Sequence, residues 1–111
     1  MRISKYSFGS ITIDGKTYVK DVIILPDRVI SPWWRKEGHS LCEDDLKEVF
    51  SANPAVLVIG TGEQGVMDVP DRIRKLIESK GIKVIIEDTT RAVLTFNSLG
   101  GDAVAALHLT C

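Results

Sequence analysis

VLVIGTGEQGVMDVPDRIRKLIESKGIKVIIE, Val56 to Glu87, reads as strand, glycine loop, helix and strand. Ala55–Ile59 is apolar on both faces, as expected of a strand covered on both sides. Asp68 is placed to cap a helix whose first position is Pro70. Ile73, Leu76 and Ile77 form its core stripe, and Gly81 ends it. Lys83–Glu87 is the next strand, and the intervening helix makes it parallel to the first.

Downstream the alternation continues. Thr89 or Thr90 is expected to cap a second helix carrying Val93, Leu94 and Phe96, closed by Gly100-Gly101, and Ala103–Leu109 forms a last strand. Upstream, Ile11 and Ile13 alternate with polar residues before the Asp14-Gly15 turn signal. Tyr18–Leu25 reads as one strand ending at Pro26-Asp27, and Val29–Ile30 as a short third strand, together an antiparallel meander. Trp33–Cys42 shows no clear period and reads as a loop. After it, Ser40 or Cys42 introduces a helix over Glu43–Ser51 with Leu46, Val49 and Phe50 on one face. The order β-β-β-α-β-α-β-α-β predicts a compact three-layer α/β domain over residues 1–111. N-terminal antiparallel strands precede α-β-α-β-α-β around one mixed β-sheet.

Composition narrows the function. The 111 residues are 44% hydrophobic and 26% charged, with 14 basic and 15 acidic residues and a net charge of −1. That balance argues against a nucleic-acid partner, which needs an excess of Lys and Arg. The apolar runs are far shorter than the roughly 20 residues of a membrane helix, and no secretory signal is expected at the start. Two cysteines make no disulfide framework, which points to the reduced cytoplasm.

Gly60, Gly62 and Gly65 match G-x-G-x-x-G, and Glu87 and Asp88 lie 22 and 23 residues beyond Gly65. A dinucleotide site is disfavoured all the same. In that fingerprint the helix opens on the glycines so that its amides face the pyrophosphate, whereas Pro70 starts the helix well beyond Gly65. The 46 residues after Gly65 hold no second nucleotide-binding half. No cofactor is expected. The loop can be structural, since glycine permits positive φ and close packing. Alternatively Gly60, Thr61, Gly62 and Gly65, with Thr90 on the neighbouring strand end, form a rim for a small anion, with Arg35 or His39 nearby.

All histidines and cysteines fall in two H-x-x-C copies, His39/Cys42 and His108/Cys111. Four such ligands suit zinc. In a strand, however, residues three apart point to opposite faces, and no metal is expected. No nucleophile–base arrangement is identifiable, so an enzymatic role stays open. Trp33-Trp34-Arg35 is the least core-like stretch and a candidate interaction surface, because Trp and Arg are frequent interface anchors.

Taken together, FGSITIDGKTY, WWRKEGH, VLVIGTGEQG and the terminal HLTC resemble the Mth-type domain family of small uncharacterised α/β proteins. That family includes the adipogenesis-associated Mth-domain protein and a mitochondrial complex I assembly factor. The resemblance covers nearly the whole chain and implies a three-layer fold around a mixed sheet. It implies no catalytic residues. The positions matching its recurrent motifs are Arg35, Gly38, His39, Gly60, Gly62, Gly65, His108 and Cys111, and relatives need not carry a cysteine at Cys42. The expectation is a non-enzymatic cytoplasmic domain that works as a protein-interaction or assembly factor, with self-association left open. The alternative is a small-molecule or anion binder, or an enzyme, using the glycine-loop rim.

Overall fold

Alternation along the buried strands sends side chains into two separate cores. In the computed structural model, which describes residues 1–111, the strands are β1 (Ile3–Ser7), β2 (Ser10–Ile13), β3 (Lys16–Tyr18) and β4 (Val22–Ile24). They continue with β5 (Val29–Ile30), β6 (Val56–Thr61), β7 (Lys83–Glu87) and β8 (Val104–His108). On β6, Leu57 and Ile59 face one core and Val58 the other; on β8, Val104 and Ala106 oppose Ala105 and Leu107. Period-2 geometry requires this of a strand covered on both faces.

Five strands pair in the order β5-β4-β8-β6-β7. β6 is parallel to β7 and to β8, while β4 runs antiparallel to β8. One face is covered by α1 (Lys47–Ala52) and α2 (Asp71–Ser79), through Val49, Ile73 and Ile77. The other is covered by α3 (Thr89–Leu99), through Ala92, Val93 and Phe96, and by β1 and β2 through Ile3, Ile11 and Ile13. The result is three layers around a mixed sheet, as the element order implied.

Several details differ from the sequence reading. Ile3–Ser7 is an additional strand, and β1-β2-β3 form their own antiparallel sheet, so the fold has two sheets. Tyr18–Leu25 is interrupted at Val19–Asp21: β3 closes the small sheet and β4 enters the large one. The interruption falls where the Asp21 carboxylate bonds to the Leu109 amide on the far side of the chain. Glu43–Leu46 is a 3₁₀ turn leading into α1, with Cys42 at its N-cap. Asp68 caps nothing; its backbone is held by His39 and Leu41, and α2 follows Pro70 with no side-chain cap. Asp88, rather than Thr89 or Thr90, caps α3 by accepting from the Arg91 amide. Thr89 is turned inward, where its hydroxyl donates to the His108 carbonyl at 2.6 Å.

Candidate binding site around Arg35

Three residues from distant parts of the chain meet at the end of β8. Asp21 ends the break between β3 and β4, Arg35 lies in the Trp33–Cys42 loop, and His108 is the last residue of β8. Arg35 Nη2 donates to Asp21 Oδ2 at 2.8 Å, and the Leu109 amide donates to Asp21 Oδ1 at 2.7 Å. His108 Nδ1 lies 2.8 Å from Asp21 Oδ2. A carboxylate can only accept, so that contact places a proton on Nδ1. The 3.1 Å approach of Arg35 Nη2 to the same nitrogen is then two donors converging on one carboxylate oxygen. Burial would raise the Asp21 carboxyl, but the hydrogen bonds from His108, Leu109 and Arg35, with the Arg35 charge, outweigh it and hold it below the ordinary range.

The Arg35 guanidinium lies over the Trp33 ring, 4.7 Å from its centroid. Trp33 itself is core, 5% exposed, with Nε1 donating to the Asp45 carbonyl at 2.8 Å. Trp34 is its opposite, 80% exposed. The single apolar stretch thus divides into an anchor and a free ring. Both rings line a half-open cavity of about 400 Å³ together with Val19, Lys20, Pro32 and Arg35, with Asp21, Gly38, Leu109 and Thr110 also in its wall. Tyr6 Oη donates to the Leu109 carbonyl behind this wall. Its phenol is pushed up to about 12 by burial and by the charges of Glu63, Asp88 and Asp21.

The glycine loop sits elsewhere. Its amides are already engaged: Glu63 N donates to the Thr110 carbonyl and Val66 N to the Cys111 carbonyl. Gly62 has φ +104°, and a Cβ there would overlap the Cys111 backbone. Gly60 packs against Thr89 and Leu107 with no room for a side chain. Thr61 donates to the Glu87 carbonyl, and Gly62 N to Thr89 Oγ1. The rim brings β6 and β7 together as the parallel pairing requires, but its donors serve the chain's own backbone. Thr90 lines a different depression beside Arg2 and Asn97. Of the rim candidates, only Arg35 reaches the cavity.

The two H-x-x-C copies converge in part. His39 and His108 meet edge to face at 5.9 Å. Cys42 turns away, its Sγ donating to Asp45 Oδ2 at 3.2 Å. Burial, the Asp45 hydrogen bond and the Asp45 charge raise the Cys42 thiol. No three His, Cys, Asp or Glu side chains are grouped so that they could share a metal ion. Asp21 was not singled out from the sequence. Its signal was a lone acid inside an apolar run, just as His108 is a lone polar residue in an apolar strand.

The family described as "Protein of unknown function (DUF498/DUF598)" matches residues 3–108. The chain belongs to this family. It is 32% identical over 114 residues to the Danio rerio protein named NADH dehydrogenase [ubiquinone] 1 alpha subcomplex assembly factor 3, covering 95% of this chain and 62% of that one. The chain spans about half the length of the other curated relatives it matches. Among solved structures, the conserved hypothetical protein PH1505 from Pyrococcus horikoshii OT3 superposes with a TM-score of 0.84 at 28% identity, covering 100% of both chains. The structure titled MT938 gives 0.80 at 27% identity, covering 99% of this chain and 98% of that one.

The four stretches that carry the family resemblance meet at one place. Gly9 N donates to the Leu109 carbonyl, Arg35 and His108 share Asp21, and Glu63 N donates to the Thr110 carbonyl. The first and third stretches hold Leu109–Cys111 directly, and Arg35 is linked to Leu109 through Asp21.

Proposed function

We propose that this chain acts through protein contact, as an interaction or assembly factor, and that a partner protein docks on the face formed by Val19, Pro32 and Trp34. The observation that carries this reading is Trp34, a large apolar ring left 80% exposed beside Val19, itself 68% exposed. Neighbouring Trp33 is buried, so the free ring is not a consequence of a loop lacking contacts to the core. Exposed aromatic residues next to an anchored Arg are typical interface anchors. The assembly-factor name of the relatives supports the same reading. We place the work of the chain in the reducing cytoplasm, where the free thiols of Cys42 and Cys111 persist. The near-neutral charge supports a protein partner over a nucleic acid.

The test compares the full chain with Trp34→Ala and Leu94→Ala. Leu94 is also exposed, at 69%, but lies on α3 beside Thr90. A partner captured by the wild type and identified by mass spectrometry is purified and measured against all three. Loss with Trp34→Ala and retention with Leu94→Ala is expected. Equal binding to all three contradicts the reading. A captured partner that is a second copy of this chain, seen as a dimer mass, replaces it with self-association.

A further inference from the structure

Arg35 is buried among too few acceptors. A guanidinium carries five N–H donors. Nη2 uses Asp21 and the Gly38 carbonyl, whereas Nε and Nη1 have no acceptor although the side chain is only 6% exposed. Charged donors left unfilled in a protein interior are costly, and an anionic oxygen offsets that cost more than a neutral one. The same side chain borders the cavity beside Asp21 and Gly38, with Nε and Nη1 themselves shielded from the open space. Lys20 lies on the same lining, exposed and in no ion pair. Asp21 balances Arg35, so Lys20 leaves the lining with one unmatched positive charge. The remaining walls are mixed: Val19, Pro32, Trp33, Trp34 and Leu109 are apolar, and Gly38 and Thr110 add polar surface. At about 400 Å³ the space is within the range of small-ligand sites.

We propose that this cavity binds a small carboxylic acid, a single carboxylate joined to an aromatic or branched aliphatic body. The carboxylate lies toward Arg35 and Lys20, and the body lies against Trp34, Pro32 and Val19. One unmatched charge, the Asp21 carboxylate in the same lining and the largely apolar side chains select against inorganic phosphate, whose second charge finds no partner there. The ligand body and a docked partner use the same Val19, Pro32 and Trp34 face and exclude each other there, but a titration of the chain alone tests the ligand whether or not a partner docks.

The test is a titration of the ¹⁵N-labelled full chain with phenylacetate, followed by two-dimensional NMR. Phenylacetamide, acetate and inorganic phosphate are titrated in parallel. Phenylacetate is expected to shift the Trp34 indole and the Lys20, Arg35 and Thr110 amides saturably. It should bind about tenfold or more tightly than phenylacetamide, the factor expected of a hydrogen bond to a charged group. Acetate and phosphate should shift these signals little. Lys20→Ala, at an exposed position that leaves the fold intact, should weaken phenylacetate severalfold and leave phenylacetamide unchanged. Equal binding of acid and amide overturns the proposal, as do shifts confined to residues around Thr90 or no response at all. Phosphate alone reproducing the phenylacetate shifts overturns it too.

Discussion

Asp21 and Leu109, 88 residues apart in sequence, are joined by a 2.7 Å hydrogen bond from the Leu109 amide to Asp21 Oδ1. The same carboxylate accepts from Arg35 and His108 through its other oxygen. One side chain thus fixes the Trp33–Cys42 loop to the end of β8. Asp21→Asn leaves the Arg35 charge buried without its counter-ion and should cost about 3 kcal/mol at pH 7. The carboxyl is held below its ordinary range in the folded chain. Its contribution is therefore complete above about pH 4, the unfolded value, and is lost as pH falls through the lower folded value. Urea melts from pH 7 to pH 2 should show the two proteins converging only in that acid range. A constant difference across it would contradict this role.

Trp33 and Trp34 are adjacent but should behave oppositely. Trp33→Ala removes a buried ring and leaves the Asp45 carbonyl without its indole donor, a loss of about 3–5 kcal/mol. Trp34→Ala should change stability by no more than about 0.5 kcal/mol. Denaturant midpoints check both. Similar losses at the two positions would mean that Trp34 is a packing residue.

The layers were legible because their signals are local. Leu57–Ile59, Ile73 with Ile77, and Ala103–Leu109 each show their period within one element. β1 was not, since only Ile3 along Ile3–Ser7 is buried and the strand pairs within a small sheet of its own. Nor was the Asp21 cluster, in which the β4–β8 pairing brings Asp21 to His108 and the loop after β5 folds back to add Arg35. Arg35 and Trp34 were legible as unusual residues, but which Trp faces outward depends on the depth of the loop. The glycine pattern is visible in the sequence and fits either a structural loop or a ligand rim. What the spacing does not reveal is Cys111, the residue whose backbone Gly62 admits.

Gly62→Ala tests that demand. The added methyl meets the Cys111 backbone, and φ at +104° is unfavourable for alanine. A loss of about 2–4 kcal/mol is expected, with amide shifts concentrated at Thr110 and Cys111. A melt within about 0.5 kcal/mol of wild type would show that the loop does not depend on this contact.

Cys42 should be a slow thiol. Burial, with the Asp45 hydrogen bond and charge, raises it, so less thiolate is present near neutral pH. In a Cys111→Ser background, alkylation by iodoacetamide followed by mass spectrometry should run slower than that of free cysteine at the same pH. A faster reaction would contradict the role given to Asp45.

The central claim is that function lies on the Trp34 face rather than at the glycine loop. Calorimetric titration of the purified partner into wild type, Trp34→Ala and Glu63→Ala measures it most directly. Glu63 is exposed in the glycine loop, and its backbone bond to Thr110 survives the change. The account predicts that Trp34→Ala weakens binding about 30-fold, the scale of an interface anchor, while Glu63→Ala binds as wild type does. Loss with Glu63→Ala and retention with Trp34→Ala would contradict it.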